Sequence, residues 1–506
     1  MKLQPAMVFG SHMVLQRQQP IVVWGHGAEG DRVTVTLGSD SAAAQIRAGQ
    51  WQVSLPAREA ETGLTMHIQS EKTAEELTFT DVSVGEVWLA GGQSNMEFPF
   101  KYDIEEPDIA PGANDPQLRF FDYPEVSYPG HYESGRFEDY GFWRSCTPED
   151  VPWFSAVGYY FAAKLRQALG VPVGVIGCNW GGTPAITWID RAEIEADPIF
   201  APALAQYQAQ LDEQDWPRYE KMQQMQAAAD PARKRAVEDV MLMGKDMSEL
   251  WKTMEMPKTP PTEMVMMQLG PKSANAPGVL FDNMVRPLAP YGVRGVIWYQ
   301  GESDDGNAGY DGYMRAVQRS WSKLWGAELP FYQVMLAPFG HWAHVTAGDY
   351  PGVRRLQKAL ADTDPHFFCA NIMDSGTEDN IHPRMKRPAG ERLALLALKN
   401  AYAQSVQADG PSMDSVQLEP GQVAVRWKNA AGGLHIRGGQ LQALRVTVDG
   451  VPVEPECTAE GDRLVLKADA FQPGKQITLS FAEENYCVVN LYGGTGLPAF
   501  PFEATP

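Results

Sequence analysis

Five apolar runs in the middle of the chain constrain its fold more than any other feature. They are VGEVWLAGG (84–92), VPVGVIGCN (171–179), VRGVIWYQ (293–300), PFYQVMLA (330–337) and HFFCANIMD (366–374). Continuous apolar character over so few residues reads as strands buried on both faces. Between them lie segments with helical spacing. SAVGYYFAAKLRQAL (155–169) stops at Gly170, and RPAGERLALLALKNAYAQ (387–404) is long and amphipathic. Apolar strands alternating with helices predict an α/β domain built on a parallel sheet.

The flanks have a different texture. Residues 1–82 hold short Val/Thr-rich runs with period-2 patterning, such as IVVW (21–24), RVTVTLG (32–38) and WQVSLP (51–56), separated by turn residues. That pattern predicts a small β-sandwich. Residues 406–506 return to strands with QVAVRW (422–427), ALRVTVDG (443–450), RLVLKA (463–468) and QITLSF (476–481). With 506 residues and about 150 per domain, the expectation is three domains. These are an N-terminal β-sandwich over 1–83, an α/β domain over 84–405 and a C-terminal β domain over 406–506. The stretch 191–275 interrupts the α/β alternation as a helical insertion. It holds 10 of the 21 methionines, between Met222 and Met267. Methionine there reads first as adaptable packing filler, and in a sharper reading as a lid over a cleft.

Charge and cysteine usage narrow the function. Lys and Arg number 42 against 63 Asp and Glu, a net charge of −21, which repels phosphate backbones and anionic membranes. Nucleic acid is therefore a poor partner. Five scattered cysteines without a C-x-x-C pair argue against a disulfide framework or a thiolate zinc site, and read as reduced thiols. No run reaches the ~18 apolar residues of a membrane span. The opening MKLQPAMVFGSHMVLQ lacks the basic and apolar regions of a secretory signal. The expected compartment is the cytoplasm, or the periplasm or exterior if a leader is removed.

Two motifs lose on inspection. GHGAEG (25–30) fits the dinucleotide fingerprint, but Asp31-Arg32-Val33-Thr34-Val35 continues as a strand where a helix is needed, so it reads as a hairpin turn. His341 and His344 have helical spacing for a metal, yet no H-E-x-x-H or carboxylate cluster completes a set. No metal site is expected.

GGQSNMEF (91–98) places Ser94 just past the end of the first core strand, where such sheets bind ligands. There is no G-x-S-x-G elbow, which disfavours an α/β-hydrolase fold. Other strand ends carry complementary groups. Asn179-Trp180-Gly181-Gly182-Thr183 offers backbone N–H groups, and Gln300-Gly301-Glu302-Ser303-Asp304 offers an amide donor. The last run leads to Asp379, three residues before His382, so that one turn can bring carboxylate to imidazole. Parallel strands set all these ends along one edge, where nucleophile, base, orienter and oxyanion donors meet acyl-transfer needs.

At this point the sequence resembles a known group. GQSNM (92–96), NWGGT (179–183), WYQGES (298–303) and NIHP-x-x-K (380–386) look like the blocks of the SGNH hydrolase superfamily, and more narrowly of its sialate O-acetylesterase-like branch of carbohydrate acetylesterases. HMVLQRQQPIVVWG (12–25) and NLYGGTGLPAFPF (490–502) are similar to that branch's flanking β segments, so the likeness covers nearly the whole chain outside 191–275. The resemblance implies an SGNH-type, flavodoxin-like parallel-sheet catalytic domain with flanking β-sandwich segments at both termini. It implies Ser94 as nucleophile, His382 as general base and Asp379 as the acid, with the N–H groups of Ser94 and Gly181 as the oxyanion hole and Gly182 as a less favoured donor. The superfamily's third donor is an Asn in a G-x-N-D block. This chain has Gly301-Glu302-Ser303-Asp304 instead, so Gln300 is the donor of choice and Glu302 its support. Met385 stands where a small polar residue is usual, without functional meaning.

The implied reaction removes an acetyl group from a sugar hydroxyl through an acetyl-enzyme, with no metal or organic cofactor required. Phe98, Trp180 and Trp342 are the expected sugar contacts, and an acetylated saccharide is the expected partner. The competing readings are another serine ester hydrolase of lipase or thioesterase type, and a non-catalytic carbohydrate-binding protein.

Overall fold

The computed structural model describes residues 2–134, 137–227, 239–240, 242–243, 269–342 and 345–506. The chain divides into two compact units: residues 1–303 with 309–331, and residues 304–308 with 332–506. The boundaries expected near 83 and 405 fall inside these units.

The first unit is organised around one long strand, β1 (Glu76–Gly92). Its first residues alternate between exposed and half-buried, and from Val82 onward every residue is buried. The sequence ELTFTD followed by VSVGEVWLAGG encodes that change: period-2 patterning gives way to an unbroken apolar and small-residue run. The first half pairs antiparallel with Glu61–Ser70, which in turn pairs with Arg32–Leu37. The second half sits inside a sheet with β2 (Asp115–Asp122), β3 (Trp143–Cys146), β4 (Val173–Asn179) and β5 (Gly295–Tyr299), in the order β3-β2-β4-β1-β5. β4 runs parallel to both β1 and β2, β5 runs parallel to β1, and only β3 is antiparallel to its neighbour. Register brings Gly92 level with both Asn179 and Tyr299. Three strand ends thus finish at one height.

Helices follow the strands, and among those of this unit Ala156–Leu169 is the one the spacing predicts. α1 (Ser94–Glu97) is a single turn directly after β1. α2 (Ala156–Leu169) is capped at its start by Ser155, whose hydroxyl accepts from the Gly158 N–H, and at its end by Gly170 with φ 68°. α3 (Tyr310–Trp325) closes on Gly326 in the same left-handed conformation. The segment 27–31 joins the strands Ile21–His26 and Arg32–Leu37 with no helix after it; the two strands lie in different sheets, so the link is a crossover between sheets and not the expected hairpin. Within the insertion, helices span Arg191–Ala196, Ala201–Asp212 and Trp216–Ala227. Most of its Met-rich stretch lies outside the described residues.

The second unit carries most of β6 (Phe331–Val334), which neighbours β7 (Phe367–Ala370), together with α4 (Tyr350–Thr363) and α5 (Arg387–Asn400). Its C-terminal part contains two four-stranded antiparallel sheets. One has the order Ser412–Glu419, Gln422–Lys428, Arg463–Lys467, Glu456–Glu460; the other has Val451–Val453, Leu444–Val448, Ile477–Phe481, Phe502–Ala504. Trp427 of the first sheet meets Phe481 and Phe502 of the second edge-on, at 6.1 and 5.4 Å between centroids. The fold is mixed α/β, a large mixed sheet with further antiparallel sheets. Among the described residues no helix is long and apolar enough to cross a membrane.

Candidate active site

In the first unit the end of β1 is shaped by a glycine. Gly92 has φ +130°, and a Cβ there would lie 2.1 Å from the Tyr299 carbonyl oxygen, so no other residue fits. The chain then turns sharply. The Gln93 N–H donates to Tyr299 O at 3.0 Å, and the Gln93 carbonyl accepts from the Met96 and Glu97 N–H groups. Gln93 is buried, and its Oε1 accepts from the Ser303 N–H at 3.2 Å. Asn95, also buried, donates to Glu302. The block GQSNM and the block WYQGES are therefore knit together by side chains on either side of Ser94. Ser94 itself is half-buried at the start of α1.

The block NWGGT closes against this turn. Trp180 donates its N–H to Gly92 O at 3.1 Å. Next in the chain, Gly181 lies so near that a Cβ on it would be 3.3 Å from Ser94 Cβ and 3.2 Å from a Glu97 carboxylate oxygen. Its N–H donates to that same Glu97 oxygen at 2.8 Å. Gly182 is exposed, with φ 71°. Thr183 holds the loop, its hydroxyl donating to Trp180 O and accepting from the Trp188 indole.

Gln300, expected as an oxyanion donor, is fully buried. Its amide donates to Thr183 O at 3.3 Å, and Tyr310 donates its hydroxyl to the Gln300 side-chain oxygen at 3.1 Å. These bonds make it a brace for the 180–183 loop. Phe98, expected at the sugar face, is instead fully buried and packs edge-on against Tyr102. It is followed in sequence by apolar and aromatic residues that fill the interior, and the core claims it. Trp180 is half-buried and lies 6.5 Å from the His131 ring, which stacks on Tyr128 at 4.3 Å. His131 and Tyr128 went unnoticed in the sequence, since no motif marks SYPGHY (127–132).

In the second unit, the segment after β7 carries His382. The imidazole is 5% exposed and meets Trp342 edge-on at 5.3 Å, while the His382 N–H donates to Asn380 Oδ1 at 2.8 Å. Trp342 sits on a two-stranded hairpin, held where the Gly340 and His341 N–H groups both donate to Glu378 O. Burial, with the Lys386 charge adding to it, pushes the imidazole down to about 3. At neutral pH the ring is therefore uncharged. Asp379 is exposed, and among the described residues its carboxylate makes no hydrogen bond or ion pair, so the structure does not join it to His382. The carboxylate that is engaged nearby is Asp374, gripped by both ends of the Arg392 guanidinium at 2.6 and 2.8 Å. Burial alone would raise Asp374, but Arg392 holds it below the usual carboxylate range.

Among the described residues no group of His, Cys, Asp and Glu side chains could hold a metal ion; His344 lies outside them. All five cysteines are free thiols, three of them buried.

No protein-family model matches the chain. The sialate O-acetylesterase of Rattus norvegicus is 25% identical over 466 residues, covering 82% of this chain and 76% of its own. That of Homo sapiens is 24% identical over 451 residues, covering 82% and 74%. A solved carbohydrate acetylesterase from Xanthomonas citri superposes over 100% of this chain and 99% of its own, with a TM-score of 0.74 and 28% identity. The chain is an esterase similar over most of its length to the sialate O-acetylesterases and to this carbohydrate acetylesterase. That similarity gives the Ser94–Gly181 apposition a chemical meaning: a hydroxyl and a backbone N–H, brought together by the ends of two paired parallel strands, are parts that ester cleavage requires.

Proposed function

We propose that the chain removes O-acetyl groups from carbohydrates, with Ser94 as nucleophile, His382 as general base and the N–H groups of Ser94 and Gly181 as oxyanion donors. The observation that carries this reading is the packing of Gly181 against Ser94, 3.3 Å from Ser94 Cβ at its missing Cβ. A Cβ there would be in unusually tight contact with Ser94 and Glu97, and the packing sets an N–H beside the nucleophile. The SGNH-type, flavodoxin-like assignment is supported by a parallel core in the order β2-β4-β1-β5, with the first strand lying inside the sheet between later ones.

In this reading Ser94 Oγ attacks the acetyl carbonyl as His382 takes its proton. The tetrahedral oxyanion is held by the two N–H groups, His382 returns the proton to the departing sugar oxygen, and water repeats the sequence on the acetyl-enzyme. Each oxyanion donor is typically worth roughly 10²–10³ in kcat, which is why Gln300 and Thr183 brace the loop bearing Gly181. Asp379 carries the acid role by resemblance alone; its exposed carboxylate makes it an accessory to a Ser–His pair. Trp180, beside Gly181, and Trp342, against His382, are the sugar contacts that fit this reading. The test is acetate release from a panel of acetylated saccharides. Wild type is expected to release acetate, and Ser94→Ala to lose at least about 10³-fold in kcat while keeping its circular dichroism spectrum. Near-normal turnover by that variant overturns the assignment.

A further inference from the structure

The Gly181 N–H, one of the two donors on which the proposed reaction rests, is already engaged. Glu97 stands three residues after Ser94 on the same helical turn, so both side chains leave one face of α1. Gly181 packs against that face, and its N–H donates to Glu97 Oε2 at 2.8 Å. A carboxylate is an anion with two acceptor oxygens, the same chemical class as the acetate product and close in charge to the tetrahedral oxyanion. It makes a charge-assisted bond about twice as strong as a neutral one. One N–H cannot serve Glu97 and a developing oxyanion together, and the fixed negative charge opposes the one that forms.

We propose that Glu97 is a gate on the oxyanion hole, an internal competitor that holds the Gly181 N–H in the resting enzyme and must yield to the substrate carbonyl. The proposal rests on the esterase reading above and adds to it a residue that sets substrate and product affinity. It is specific to Glu97 because the side chain reaches Gly181 only from the third position after the nucleophile. A glutamine there still fills the space and accepts the N–H, but without charge. An aspartate keeps the charge and falls one methylene short.

The experiment is initial-rate kinetics of the full chain on an acetyl ester, with sodium acetate as added product, for wild type, Glu97→Gln and Glu97→Asp. Glu97→Gln is expected to raise kcat/KM about three- to tenfold and to lower the acetate inhibition constant by a similar factor, the difference between a charged and a neutral competitor. Glu97→Asp is expected to raise kcat/KM by less, since its charge stays close. Unchanged or lowered kcat/KM in Glu97→Gln, or loss of fold in both variants, makes Glu97 a builder of the donor loop and overturns the proposal. The underlying reading fails differently: wild type then releases no acetate, or Ser94→Ala matches it.

Discussion

His382 shows how a single residue's surroundings set both its chemistry and its cost. An ordinary histidine titrates near 6.5, whereas burial and Lys386 bring this one to about 3. The unfolded chain therefore binds a proton at this ring below about pH 6.5 that the folded chain refuses until near pH 3. Stability is fully present above pH 6.5 and is lost as pH falls from there through the folded value, on the order of 5 kcal/mol in all. Urea unfolding between pH 7 and pH 4 is expected to show this slope, and His382→Gln to flatten it. The acid limb of kcat/KM is likewise expected well below pH 6.5; a limb at 6.5 or higher would mean the ring is not buried as a neutral base. In the sequence, the meeting of Ser94 and Gly181 was legible because glycines and short blocks marked the strand ends. Burial was not. Phe98 looked like a sugar contact and is core, Gln300 looked like a free donor and is a brace, and Asp379 looked like a partner by spacing and stands exposed. Spacing says which groups can meet, while solvation and competing hydrogen bonds decide which do.

At the scale of elements, the legible strands were those whose pattern is clearly alternating or mostly apolar. The first half of β1 and all of its second half follow from pattern alone, as do β4, β5, α2 and α5. β2 and β3 were missed because each carries a buried arginine, Arg119 and Arg144, that breaks the apolar run. Arg119 is paid for by hydrogen bonds to the His12 and Asp81 carbonyl oxygens and by the Asp81 carboxylate, partners about forty or more residues away that no local pattern announces. The same logic fixes the segment bearing His382. Arg392 on α5 clamps Asp374 from both guanidinium ends and also donates to Asn371 O at 2.7 Å, which anchors the exit of β7 to the helix. Arg392→Met would leave Asp374 charged and mostly buried without its cation. A loss of roughly 3–5 kcal/mol is expected, read as a lowered midpoint in urea. Activity should fall further than stability at a permissive temperature, since the clamp sets the stem of the histidine segment. A stability loss below about 1 kcal/mol would show that the pair is worth no more than a surface bridge.

At the scale of the molecule, composition and length suggested three domains, whereas the N-terminal sheet and the α/β sheet fall in a single compact unit. The reason lies in β1, which belongs to both sheets and cannot be divided without breaking a strand. Where it crosses from one to the other stands Glu86, fully buried. It accepts from Arg17 at 2.6 Å and from Gln16 at 3.1 Å, both in the N-terminal segment, and from Arg294 at 2.9 Å at the entry to β5. Burial alone would raise this carboxyl; the bonds and charge of Arg294, with Arg17 and Gln16, hold it below its ordinary value, so its stabilisation is present at neutral pH and lost in acid. Glu86→Gln removes the one anion two arginines share, at an expected cost of roughly 3–5 kcal/mol. Because the ion sits at the junction, that loss should appear in both sheets at once. Native-state hydrogen exchange is the measurement: protection in Arg32–Leu37 and in Val173–Asn179 is expected to fall together in the variant, at the same denaturant concentration. Loss confined to Arg32–Leu37 would mean that the N-terminal sheet opens by itself, and that the shared strand does not make the unit cooperative.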